Sequence, residues 1–180
     1  AVSNYYGIYT SGRGYIKACV ACRNTSNGIR TDTGGRVENC IVEGNASAGI
    51  SAGYGSIVSG CAANGNTDGI LVSGGTLALV SDCITYNNSG YGISGGTGSR
   101  VAGCVSSYNG SYGISVSSSA IVEDCLANNN SSGIYGLSLN RFKGNTCMFN
   151  NNAGLLTGSW KNFFEANFAE GNETGINAND

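Results

Sequence analysis

At 180 residues with no break in composition, the chain fits one domain spanning 1–180. A charged fraction of 11% against 41% apolar residues excludes a disordered chain, because enough apolar surface is present to offset the entropy of folding. The net charge of −2 and the scatter of the nine Lys and Arg exclude a basic track for nucleic acid. No stretch approaches the roughly eighteen apolar residues of a membrane span, so no membrane insertion is expected.

The N-terminus lacks the charged-then-apolar pattern of a signal peptide, while Ala1-Val2-Ser3 suits a mature end left after one is cut. The expected location is extracellular or at the cell surface. A repeat is already running at Tyr6-Gly7-Ile8. Gly-Ile pairs follow at Gly28-Ile29, Gly49-Ile50, Gly69-Ile70, Gly92-Ile93, Gly113-Ile114, Gly133-Ile134 and Gly175-Ile176, with Gly154-Leu155 in the remaining slot, in steps of 20 to 23 residues. A second column reads Cys19, Cys40, Cys61, Cys83, Cys104, Cys125 and Cys147, continued by Phe168. Five residues after each of these cysteines comes an Asn: Asn24, Asn45, Asn66, Asn88, Asn109, Asn130 and Asn152.

Within one unit, Ile57-Val58-Ser59-Gly60-Cys61-Ala62-Ala63-Asn64-Gly65-Asn66 and then Gly69-Ile70-Leu71-Val72, short apolar segments alternate with Gly, Asn and Ser. These are strands and turns. The predicted inward positions are Val58, then Cys61 and Ala62, then Ile70 and Val72. Equivalent positions carry Val37, Val80, Val101 and Val122, then Ile41, Ile84, Val105 and Leu126, so like stacks on like. A coil of about 21 residues has room for three short strands, but not for a strand and a full helix. The predicted fold is an all-β, right-handed parallel β-helix of about nine coils. The Asn column is expected to be structural, since Asn tolerates a left-handed backbone and its amide can bond the Asn one coil away.

The Val-x-x-Cys-x-x-x-x-Asn-x-x-x-Gly-Ile units resemble the right-handed parallel β-helix repeats of pectate-lyase-like chains and periplasmic copper-site maturation proteins, with Cys where such repeats often carry Asn. The resemblance implies the fold and leaves the function open.

Seven of the eight cysteines lie along a line instead of converging, and there is no His, so neither a metal site nor a cofactor is expected. Cys serves there as a small buried hydrophobe, with disulfides between adjacent coils left open. Cys22 stands off the column.

No imidazole base is available, and the acids are scattered. The best acid pair is Asp82 and Asp124, two coils apart with Gly103 between, roughly 9.6 Å by strand spacing. Turn carboxylates are the simpler reading, and no catalytic residue is expected; a polysaccharide-degrading β-helix enzyme, a glycoside hydrolase or polysaccharide lyase, is the less favoured alternative. Tyr6, Tyr91 and Tyr112 before the repeat Gly, and Tyr86 and Tyr108 after Cys, could stack on sugars, which makes a glycan-binding or adhesin module the alternative function. Asn24, Asn45, Asn109 and Asn130 start N-x-Ser/Thr sequons, which matter only if they face outward. No outward array of repeated Thr, as ice binding needs, is present.

At the C-terminus the repeat is still running at Gly175-Ile176, and neither end shows a cap. Residues 1 to 36 hold five bases against Asp32, a net of +4; residues 162 to 180 hold Glu165, Glu170, Glu173 and Asp180 and no base, a net of −4. The expected function is therefore structural: head-to-tail self-assembly into an extracellular filament. The expected interface joins Tyr5, Tyr6, Ile8, Arg13, Lys17 and Arg23 of the first coil to Phe164, Glu165, Phe168, Glu170, Glu173 and Ile176 of the last.

Overall fold

The computed structural model describes residues 1–72 and 77–178; Asp180 lies outside them. The chain winds as a right-handed parallel β-solenoid, with no helix among the described residues. Each coil lays down three short strands, typified by Ile50–Ala52, Ile57–Ser59 and Ala62–Asn64. Stacking gives three parallel sheets of nine, eight and eight strands, each strand pairing with the equivalent one a coil away. Among the described residues this makes eight full coils and one further strand, in keeping with the expected count of about nine.

Register is set by identity: Ile29 pairs with Ile50, Ile70 with Ile93, Val80 with Val101. A column of Ile29, Ile50, Ile70, Ile93, Ile114, Ile134 and Leu155 is fully buried, and a second column runs through Val37, Val58, Val80, Val101, Val122 and Phe142. Each such side chain is worth about 1.5–3 kcal/mol of transfer free energy. Packing is balanced across columns. Where Val gives way to Phe142, stacked on Phe164 at 5.5 Å, the facing position of Val116 is taken by Gly136.

Left-handed residues turn every corner. The corner between second- and third-sheet strands uses Ala18, Asn39, Gly60, Asp82, Gly103, Asp124, Gly144 and Ala166; the next corner uses Arg23, Gly44, Gly65, Asn87, Tyr108, Asn129, Phe149 and Gly171. This corrects two expectations. The left-handed residue is the one before each ladder Asn, not the Asn itself. The turn before each Cys also restarts the in-out alternation, so Cys faces inward at the corner and the residue after it faces out. Ile41 and Ile84 are half-exposed, while Val42, Ala63, Thr85, Ser106 and Ala127 point inward.

The last coils depart from the counted spacing. Glu123 pairs with Lys143 and Ala127 with Cys147, so the step there is 20 residues and Cys147 belongs to the Ala127 column. The cysteine column ends at Cys125 and is continued by Asn145 and Asn167, not by Cys147 and Phe168. Phe168 pairs with Thr146 and faces out. Likewise the Asn ladder passes from Asn130 to Asn150 and Asn172, leaving Asn152 exposed with its Nδ2 donating to Ser131 Oγ at 3.2 Å. A slip of two residues returns a strand position to the same face, which is why Cys147 is buried although it left the column.

Candidate functional site

The Asn ladder frames the surface beside the third corner. Each ladder Asn Oδ1 accepts from the preceding Asn twice: Asn88 Oδ1 takes the Asn66 backbone N–H at 2.9 Å and its Nδ2–H at 3.2 Å. The Asn88 amide in turn donates to Ala63 O and to Asn109 Oδ1. This consumes the amides of Asn24, Asn45, Asn109 and Asn130, all buried, so those four sequons do not face outward.

Outside the ladder lies an open cleft of about 440 Å³. It exists because Gly44 and Gly65 occupy the left-handed corner on two successive coils and carry no side chain, whereas Asn87 and Tyr108 rise from the next two. Its lining is Asn45, Gly65, Asn66, Thr67, Asn87, Asn88, Ser89, Tyr108 and Gly110: hydroxyls, amides and one ring, with no charge. Tyr108 is half-exposed, and its ring sits 5.3 Å from the Tyr86 ring, tilted against it at 59°. Thr67 Oγ1 donates to Ala46 O at 3.0 Å, tying the cleft wall to the coil below. Such a lining suits neutral hydroxylated ligands through hydrogen bonds and ring contact.

The other tyrosines are disposed differently. Tyr91, Tyr112 and Tyr135 stack on one another, with centroids 6.0 and 4.9 Å apart and planes within 9° and 22°, so their faces are turned to each other. Burial raises the Tyr112 pKa. Tyr6 and Tyr9 flank the Arg30 guanidinium at 5.3 and 5.9 Å, and Tyr9 donates to Asp32, a bond that raises the Tyr9 pKa.

Asp82 and Asp124 share a corner column, both left-handed at φ 54° and 53°. Asp82 leans over Gly103, whose Cβ position would lie 2.8 Å from its Oδ1, and Asp124 leans the same way over Gly144. The two carboxylates run parallel along the axis and do not converge on a common point. Among the described residues no three His, Cys, Asp or Glu side chains gather to hold a metal ion.

The residues expected at the ends are placed as follows. On the first coil Tyr5 is exposed, Ile8 packs against the core, Lys17 faces out, and Arg13 and Arg23 lean onto Gly34 and Gly44 of the next coil. On the last coil Phe164 packs on the core, and Phe168, Glu170, Glu173 and Ile176 are exposed. Glu165 is already engaged, by Arg141 at 2.7 Å and Lys143 at 3.4 Å, and the Arg141 hydrogen bond lowers its pKa.

A family model described as "Right handed beta helix region" matches residues 6–140 and 63–180. The chain belongs to the right-handed β-helix family. No curated protein sequence matches it. Among solved structures, the A-module of the mannuronan C-5 epimerase AlgE4 from Azotobacter vinelandii superposes with a TM-score of 0.81 at 16% identity over 96% of this chain. Tailspike protein 2 from the Escherichia coli O157:H7 bacteriophage CAB120 superposes at 0.60 with 10% identity over 98%. The chain spans 56% of the first protein and 34% of the second. Such identities speak for the fold. No helix of the described residues is long and apolar enough to cross a membrane.

Proposed function

We propose that this β-helix is an extracellular or cell-surface module that binds polysaccharide along its side. The uncharged cleft between Gly65 and Tyr108 carries the proposal: its hydroxyls and amides match sugar hydroxyls, and Tyr108 offers a half-exposed aromatic ring. That the similar AlgE4 module is named for mannuronan adds support. Binding is assigned, and no catalytic step is.

The test is an affinity screen against neutral and uronic-acid polysaccharides, with Tyr108→Ala and Asn87→Ala as probes. Both are corner substitutions, so folding is checked first by circular dichroism. Binding weakened about tenfold by Tyr108→Ala supports the cleft, matching the roughly 1–3 kcal/mol of an aromatic stacking contact. Binding that survives both substitutions unchanged sinks it.

Head-to-tail assembly is the second reading, favoured by one observation: exposed Arg13, Lys17 and Arg23 stand on one terminal coil, and exposed Glu170 and Glu173 on the other. It predicts salt-sensitive filaments by electron microscopy. Monomers only, at high concentration and low salt, would dispose of it.

A further inference from the structure

Six thiols, those of Cys19, Cys40, Cys61, Cys83, Cys104 and Cys125, form one line inside the second corner. All are free, and all but Cys19 are at most 2% exposed. They share one conformation. Each Sγ donates to the carbonyl two residues earlier, at 3.1 to 3.3 Å, from Lys17 O for Cys19 to Glu123 O for Cys125. Where a thiol also reaches the preceding coil, it meets the second-sheet carbonyl there, at 3.7 to 4.0 Å. Identical side chains in identical conformations at the equivalent corner of stacked coils repeat near the strand spacing of about 4.8 Å.

That spacing decides what the sulfurs can do. A disulfide needs Cβ atoms about 3.5–4.5 Å apart and sulfurs at about 2.05 Å, so the column is too open for one without the coils closing up. A tetrahedral zinc needs four converging ligands, and a line offers two at a time. Two metal–thiolate bonds of about 2.3 Å laid end to end span about 4.6 Å, which is the gap between neighbouring thiols. Soft thiolates select Cu(I) and its relatives.

We propose that the cysteine column binds soft d10 cations, Cu(I) or Ag(I), in linear two-sulfur sites between adjacent coils. Binding converts two thiols and one cation into an S–M–S unit and releases two protons, leaving one negative charge per unit. Backbone N–H groups face that charge: Cys19 N–H points at Cys40 Sγ at 3.5 Å, and Cys40 N–H at Cys61 Sγ at 3.4 Å. Sulfur does not place two bonds in a straight line, so one thiol does not serve two cations along the axis. Alternate gaps fill: Cys19 with Cys40, Cys61 with Cys83, Cys104 with Cys125, three cations in all.

The molecule supplies its own control. Asn145 holds the same column position and accepts the Cys125 N–H at 3.1 Å, so Cys→Asn is a substitution this fold already accommodates. The experiment loads the full chain with Ag(I), removes weakly held metal by desalting, and measures silver per chain and the X-ray absorption of the retained silver. Three silver ions per chain are expected, each with two sulfurs and no third ligand, with two protons released per ion. C61N/C83N/C104N/C125N should retain one. If that variant does not fold, C104N alone should lose one of the three. Silver held by three or more sulfurs, no silver retained, or retention abolished by C22S with the column intact would overturn the proposal.

Discussion

The side-chain amide of Asn66 fills the space that a Cβ on Gly49 would need: the two positions are 2.7 Å apart, with Gly69 O at 2.8 Å on the other side. The Gly-Ile column and the Asn column are therefore two halves of one device, in which each ladder Asn packs over the glycine of the coil before it. Gly49 has no left-handed backbone, so its requirement for glycine is steric alone, whereas Gly55 is left-handed at φ 63° with nothing within 4 Å of its Cβ position. Gly49→Ala should cost about 3 kcal/mol, the upper range for overpacking against groups that cannot retreat. Gly55→Ala should cost about 1–2 kcal/mol, the left-handed penalty by itself. Chemical denaturation of the two variants checks the order; equal costs would mean that the ladder amide yields.

Removing a ladder amide should be as damaging. Asn109 Oδ1 accepts the Asn88 N–H at 3.1 Å and its Nδ2–H at 2.9 Å, and its own Nδ2 donates to Asn130 Oδ1 and Ser106 Oγ. Asn109→Ala leaves several buried groups unpaired, each worth about 1–3 kcal/mol. A loss of at least about 3 kcal/mol is expected, with Asn109→Asp comparably severe because it replaces two donors by a buried charge. The exposed Asn152, counted into the same column by spacing, should tolerate Ala within about 0.5 kcal/mol. Thermal unfolding of the three variants separates a ladder position from a spacing coincidence.

How much of this was legible in the sequence follows from the same residues. Ile50, Val58 and Asn66 recur at near-constant spacing because each must sit on its own copy, so self-similarity alone identified the solenoid. The 20-residue step between Val122 and Phe142 hid where the columns end, since counting 22 from Cys125 lands on Cys147, another inward position. Ile41 and Ile84 looked like core because the left-handed turns at Asn39 and Asp82 carry ordinary side chains and give no glycine signal. The cleft was invisible for the opposite reason. It is made by side chains missing at Gly44 and Gly65, and by a tyrosine at a corner where glycine or asparagine is more common.

Volume exchange between Gly136 and Phe142 makes a pair prediction. A Cβ on Gly136 would lie 2.5 Å from Phe142 Cζ, whereas one coil earlier the equivalent positions carry Val116 and Val122. Gly136→Val should therefore destabilise by about 1–3 kcal/mol. In a Phe142→Val background, which restores the Val column, its cost should shrink. Part of it will persist, because Asn140 Nδ2 also lies 2.7 Å from that position. A double-mutant cycle gives the coupling directly; additive costs would mean that Phe142 is not what requires the glycine.

Buried thiols also set an alkaline limit on stability. Burial pushes the Cys40 thiol up to about 11 and the Cys147 thiol up to about 12, against about 8.5 in an unfolded chain. With the folded pKa above the unfolded one, the folded state holds its protons longer as pH rises. The stabilisation is thus fully present below about pH 8.5 and is lost progressively as pH climbs through 11 and 12. Cys147 tests this cleanly, since it stands off the thiol column and its neighbours in register are Ala127 and Ala169. Cys147→Ala should fold, lose about 1 kcal/mol or less at pH 7, and show a shallower fall in Tm between pH 8.5 and 11 than the parent. Parallel Tm–pH curves for the two proteins would show that the Cys147 thiol does not govern the alkaline limb.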